Sequence, residues 1–139
     1  MADCALCRPQ LLTPVIRRST HWRTAVNLNQ NLLGKLLIVL QRHEESVTSL
    51  TAAEGRELHE EVSWATARLR AAFAPDHFNY AFLQNQDRHV HLHGIPRYAG
   101  SRSLAGVDFE DPDWPDHYRP GVERIVAPET TDAIARALG

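Results

Sequence analysis

His89, His91 and His93 stand two apart, with Val90 and Leu92 between them and Gly94-Ile95-Pro96 after. In an extended segment alternate side chains face the same way. The three imidazoles then share one face, while Val90 and Leu92 point into a core behind. An imidazole with an unperturbed pKa of about 6.5 is largely neutral at pH 7 and can attack phosphorus. A second imidazole two residues on can hydrogen-bond the phosphate or protonate the leaving oxygen. A metal site is an alternative, although parallel side chains on one strand need ligands from other elements to complete a tetrahedron. An exposed, merely histidine-rich strand is another. Cys4 and Cys7 form a C-x-x-C, half of a tetrahedral zinc site. Free or redox-active thiols are the alternative there. The thioredoxin context, a strand before the motif and a helix opening at it, is missing.

These groups need rigid elements beneath them. Residues 24–28 read as a short strand, Asn29-Gln30-Asn31 as a turn, and the apolar run 35–40 after Gly34 as a buried strand. Pro9 and Pro14 argue against a long helix before them. Thr51-Ala52-Ala53-Glu54 has the capping-box pattern of a helix start. Leu58, Val62, Ala65, Leu69 and Ala72 or Phe73 then recur at helical spacing, and Glu57, Glu60, Glu61, Arg68 and Arg70 form the opposite, solvated face. Pro75-Asp76 closes that helix. Residues 78–83 and 88–93 read as strands joined by a hairpin turn at Asn85-Gln86-Asp87, with Pro96 ending the ladder and Gly94 allowing close approach.

Residues 99–120 read as a surface loop. Its Phe109, Trp114 and Tyr118 form either a lid over a pocket or a packed tail, and Asp108, Glu110, Asp111 and Asp113 read as solvated acids. Glu44-Glu45 reads as a solvated corner, and Trp64 as a core or dimer contact. A short helix starts at Pro128 and ends near Leu138. The sum is an α+β fold: a mostly antiparallel sheet with one main helix and a C-terminal tail and helix.

The 139 residues, 43% of them hydrophobic, suit one domain with a real core. Fifteen Lys and Arg against 17 Asp and Glu give a net charge of −2, which argues against broad nucleic-acid binding but leaves room for a nucleotide pocket. No apolar run approaches the roughly 18 residues of a membrane span, and the N-terminus has no signal-peptide core. The expectation is a soluble cytoplasmic protein.

The stretch HVHLHGIPR, residues 89–97, resembles the signature of the histidine triad superfamily, in which three histidines alternate with apolar residues, often ahead of Pro-Arg. Upstream, AVNLNQNLLGKLLIVLQRHEESVTSLTAAE, residues 25–54, is similar to that family's strand–turn–strand, its strand ending in Arg-His, and its Leu-Thr-x-x-Glu helix start. The likeness covers residues 22–98. It implies one histidine-triad-like domain over 1–139: a Cys-containing segment at 1–20, a core at 22–98 and a C-terminal loop and helix at 99–139.

The implied activity is hydrolysis of a purine nucleotide derivative, such as a diadenosine polyphosphate or an adenylyl conjugate. His91 would attack the α-phosphorus, water would release the mononucleotide, and His93 would contact the phosphate and the leaving oxygen. Asn27 would lie by the ribose, with Asn85 and Gln86 at the pocket edge. In some relatives, and in the related galactose-1-phosphate uridylyltransferases, two histidines complete a zinc site. That implies a structural zinc on Cys4, Cys7, His43 and His89, with His21 as substitute if His43 points away. No organic cofactor is implied, and a homodimer is.

One departure stands out. Many relatives carry Gly-Gln-Ser/Thr before the first histidine, where this chain has Asn85-Gln86-Asp87-Arg88 and no hydroxyl. That bears on phosphate recognition. A non-catalytic nucleotide-binding protein, or a phosphorylase or nucleotidyltransferase using phosphate or a sugar phosphate as acceptor, is the alternative. The transferases usually carry His-Pro-His-x-Gln, so His93 favours the hydrolase.

Overall fold

The computed structural model describes residues 4–8 and 14–139. Five strands, β1 (Val15–Arg18), β2 (Trp22–Val26), β3 (Leu36–Leu40), β4 (His77–Ala81) and β5 (His91–Arg97), form an antiparallel sheet in the order β1-β2-β3-β5-β4. Helix α1 (Ala52–Phe73) connects β3 to β4, and α2 (Pro128–Leu138) closes the chain. Between β5 and α2 lies a hairpin of β6 (Arg102–Leu104) and β7 (Val107–Phe109). No helix among the described residues is long and apolar enough to cross a membrane.

Strand alternation sorts the sheet into two unlike faces. Trp22, Val26, Leu36, Ile38, Leu40 and Leu92 point one way, into a core shared with Ala65, Leu69 and Phe73 of α1 and Ile134 and Leu138 of α2. Arg23, Ala25, Leu37, Val39, His91 and His93 point the other way, where Leu6, Ala25 and Val39 make one small buried cluster and Leu32, Ile95 and Tyr118 another. The helices cover the first face, so the second is left for chemistry. Gly34, with φ +85°, makes the turn into β3, and a Cβ there would meet Leu69 Cδ2 at 2.8 Å.

The helix start forms as its sequence requires. Thr51 Oγ1 accepts from Glu54 N at 3.1 Å, and Glu54 Oε1 accepts from Thr51 N at 2.8 Å. Glu54 also receives Arg42 Nε at 2.7 Å and Nη2 at 3.0 Å. Arg42, opposed by burial and helped by the Thr51 N–H, holds the Glu54 carboxyl down to about 2. A carboxyl depressed in the folded state contributes stability above its ordinary value near 4.5 and loses it as pH falls toward 2. Glu54→Gln should therefore flatten the pH dependence of unfolding free energy between those limits. Urea titrations at several pH values read this directly, and parallel curves for the two proteins would reject it.

Several local expectations are corrected. Glu61 is not on a solvated face: it is 1% exposed and accepts from Arg17 Nε at 3.0 Å and from Thr24 Oγ1 at 3.4 Å. The cause is β1, a strand with no clear sequence signal, which brings Arg17 under the helix. Trp64 packs against the core between the guanidinium carbons of Arg17 and Arg68, 5.0 and 5.5 Å from its ring centre.

No tight hairpin turn falls at Asn85–Asp87, because residues 82–90 all connect β4 to β5 and the strand begins at His91, not at 88. Val90 still extends the frame, donating N–H to Glu44 O at 2.8 Å and accepting from Leu40 N at 3.2 Å. Pro96 ends only one ladder: pairing with β3 stops at Gly94, while pairing with β4 continues to Arg97. A Cβ on Gly94 would make only ordinary contact, 4.0 Å from Leu36 Cβ.

The acids of the 99–120 segment are not all solvated. The Asp111 side chain is fully buried and accepts from Arg97 Nε at 2.7 Å, Arg97 Nη2 at 3.2 Å and Tyr98 N at 3.2 Å. Removing one partner strands a buried charge. Asp111→Ala should lower the unfolding free energy by about 3 kcal/mol in urea; a loss under about 1 kcal/mol, the range of a surface pair, would contradict this account.

Candidate active site and metal centre

Pairing with β3 sets His91 opposite Val39 and His93 opposite Leu37, on the face away from α1. His91 is 5% exposed, and its Nδ1 bonds His89 O at 2.7 Å. A carbonyl can only accept, so Nδ1 carries a proton, and in the neutral ring Nε2 holds the lone pair. That Nε2 makes no hydrogen bond among the described residues. The His93 ring lies 4.9 Å from His91, centre to centre, at 63°. Burial first, then His91 and Lys35, hold the His93 imidazole down to about 4, so it is neutral at pH 7 and keeps one N–H to donate.

Both rings open into a cavity of about 420 Å³ that Asn27, Asn85 and Gln86 also line, together with Leu6, Leu37 and Lys35. All three residues expected at the pocket from sequence thus line one cavity with His91 and His93. Asn27 also has a structural duty, since its Oδ1 accepts from Asn29 N at 2.9 Å. The aromatic loop is not the lid: Phe109 and Tyr118 are buried in apolar clusters, and Pro120, Gly121 and Glu123 line the cavity instead.

Lys35 was missed by sequence reasoning. It is 7% exposed and its Nζ donates to Asn31 Oδ1 at 2.7 Å. Burial brings its ammonium down to about 8. The available signal was a lone cation opening an otherwise apolar strand.

At the other end of the same face, the ligand atoms of Cys4, Cys7, His43 and His89 all lie within 4.8 Å of one another. Cys4 Sγ is 3.4 Å from His89 Nδ1, and Cys7 Sγ is 3.3 Å from His43 Nδ1 and 3.4 Å from His89 Nδ1. A tetrahedral ion with ordinary Zn–S and Zn–N bonds keeps such a pair about 3.5 Å apart, so these four side chains fit one. The far nitrogens are held as metal-binding imidazoles usually are: His89 Nε2 by Leu40 O at 2.6 Å, and His43 Nε2 by Glu45 Oε2 at 3.0 Å. Burial lowers the His89 pKa, which favours the neutral, ligating form.

Arg23 Nη2 anchors the cysteine turn by donating to Leu6 O at 2.6 Å. Glu44-Glu45 is therefore no idle corner, because Glu44 O ties Val90 and Glu45 orients His43. His21 is not a substitute ligand. Its backbone N–H bonds Glu57 Oε2 at 2.8 Å, and it is absent from the four-residue cluster.

No family model matches the chain, and neither does any curated protein. Solved structures do match. A histidine triad (HIT) protein from Sinorhizobium meliloti 1021 is 23% identical with a TM-score of 0.73, over 89% of this chain and 85% of that one. A hypothetical histidine triad nucleotide-binding protein from Sulfolobus tokodaii is 16% identical with a TM-score of 0.66, over 89% and 79%. A Zn-bound histidine triad family protein from Mycobacterium smegmatis is 16% identical with a TM-score of 0.64, over 99% and 94%. The likeness extends over most of each chain at these TM-scores: this chain has the fold of the histidine triad proteins.

Proposed function

We propose that the chain hydrolyses a nucleoside phosphate derivative at its α-phosphorus, through a covalent intermediate on His91. The observation that carries this reading is the His91 ring itself. Its Nδ1–H is spent on His89 O, and its Nε2 lone pair is left to a cavity that a second, neutral imidazole shares. In the first step Nε2 forms a bond to phosphorus, the bond from phosphorus to the leaving group breaks, and its electron pair departs with that group. The His93 N–H can hydrogen-bond the leaving atom. The His89 carbonyl stabilises the cationic ring that forms. Water then attacks phosphorus and gives up a proton to solvent, the P–N bond breaks with its electron pair returning to Nε2, and the neutral imidazole and a mononucleotide are recovered. The nucleotide-binding description of the Sulfolobus tokodaii protein supports the substrate class.

We assign the four-residue cluster to a structural zinc, a reading supported by the donor set and by the Zn-bound Mycobacterium smegmatis protein. When bound, it would tie the cysteine turn to His89, the residue whose carbonyl aims His91.

The test is AMP release, followed by chromatography, from diadenosine tetraphosphate and from adenosine 5′-phosphoramidate. Release from either supports the reading. A well-folded protein that releases AMP from neither overturns it.

A further inference from the structure

The cavity that His91 and His93 open into holds a buried cation, Lys35. Lys35 stands two residues before Leu37, which pairs with His93, so Lys35 shares the histidines' face one step further along. A lysine side chain covers most of the roughly 7 Å between such same-face positions. The residue is 93% buried in the sense that only 7% of its surface is exposed, and its ammonium bonds the neutral Asn31 side chain. No carboxylate pairs with it among the described residues.

The surrounding loop is built to hold it. Gln30, fully buried, donates to Lys35 O at 2.9 Å and to Asn27 O at 2.7 Å, and accepts from Gly34 N at 2.8 Å. Keeping a cation out of water without a counter-ion is costly, and the cost is offset when an anion arrives.

We propose that Lys35 binds the phosphate chain that leaves the α-phosphorus as His91 attacks, and that this site therefore takes phosphoanhydrides, nucleoside polyphosphates or dinucleoside polyphosphates, in preference to phosphoramidates. The proposal rests on the hydrolase reading for its substrate class. When an anhydride is cleaved, the His91 Nε2–P bond forms, the bond from the α-phosphorus to the bridging oxygen breaks, and the electron pair stays on that oxygen. The oxygen then belongs to an anionic phosphate that needs charge compensation more than a proton, and an ammonium supplies it. When a phosphoramidate is cleaved the pair stays on nitrogen, which must collect a proton. A neutral His93 beside a cation is poorly set to give one.

The experiment compares wild type, Lys35→Met and Lys35→Arg. For diadenosine tetraphosphate, kcat/KM should fall about 100-fold in Lys35→Met, with partial recovery in Lys35→Arg. The ratio of polyphosphate to phosphoramidate turnover should fall at least ~10-fold, since both substrates share every other contact. Equal losses on the two substrates overturn the proposal.

Two further readings keep it separate from the hydrolase reading and from a folding effect. The Kd for ADP, by calorimetry, should weaken at least ~10-fold in Lys35→Met. An unchanged Kd rejects the assignment whatever the turnover. If wild type releases AMP from neither substrate while ADP binding depends on Lys35, hydrolysis is lost and the assignment stands. Tm of Lys35→Met should equal or exceed that of wild type, because an unpaired buried charge is removed. A marked fall would make Lys35 a structural residue and overturn the proposal.

Discussion

His91→Ala should lose AMP release by at least ~10³-fold and keep its fold. The size follows from what is removed. No other described side chain offers an uncommitted, neutral nitrogen held at a fixed angle over the cavity: His89 has both nitrogens engaged, one with Leu40 O and one with the cysteine sulfurs. His93 has no backbone acceptor among the described residues to fix its tautomer. Its replacement by Ala should cost less, of order 10²-fold, because it touches the leaving group without forming the covalent bond. Folding should survive His91→Ala, since the side chain makes one hydrogen bond and faces the cavity, not the large core. Near-UV circular dichroism would check this. The kinetic signature also separates the roles. A nucleophile lost lowers kcat with KM nearly unchanged, whereas a binding group lost raises KM. A His91→Ala protein that retains a tenth of wild-type turnover would remove the covalent mechanism and favour a site that merely positions water.

How far the sequence revealed this site depended on range. The face shared by His91 and His93 was readable because strand alternation is strict and local, and Val90 and Leu92 named the buried side. The capping box was readable for the same reason, its partners being three residues apart. Cys4 and His89 lie 85 residues apart, and nothing in the spacing joins them; only the likeness to a known family did. The errors share a cause as well. Periodicity assigns charged residues to solvent, so Glu61, Asp111 and Lys35 were placed outside or passed over. Each is buried because another strand or loop brings a polar partner: Arg17, Arg97 and Asn31. Strands β1, β6 and β7 escaped because runs of three or four residues carry too little pattern to read.

The cluster at the other end of this face leads to the second large effect. Protein prepared without added metal should carry about one zinc per chain, and the double variant Cys4→Ser/Cys7→Ser should carry almost none. Partial burial, and then the Cys4 sulfur beside it, push the Cys7 thiol up. Without a cation this disfavours the Cys7 thiolate; a divalent ion reverses this and draws a coordinating thiol to its thiolate. A ligand held at 100 times its Kd stabilises the folded state by about 2.7 kcal/mol, which in a chain of this size is roughly 10 °C in Tm. The variant should melt lower by at least that amount, and a chelator should lower wild type to the same value.

Activity should fall too, though by less than in His91→Ala. His89 is tied to the cysteines through its ring and to His91 through its carbonyl, so freeing the ring loosens the acceptor that fixes the His91 tautomer. The loss should appear in kcat and be partly restored by zinc in wild type, never in the variant. Wild type that is metal-free as purified, and that melts and turns over like the double variant, would mean that the four side chains meet only to pack.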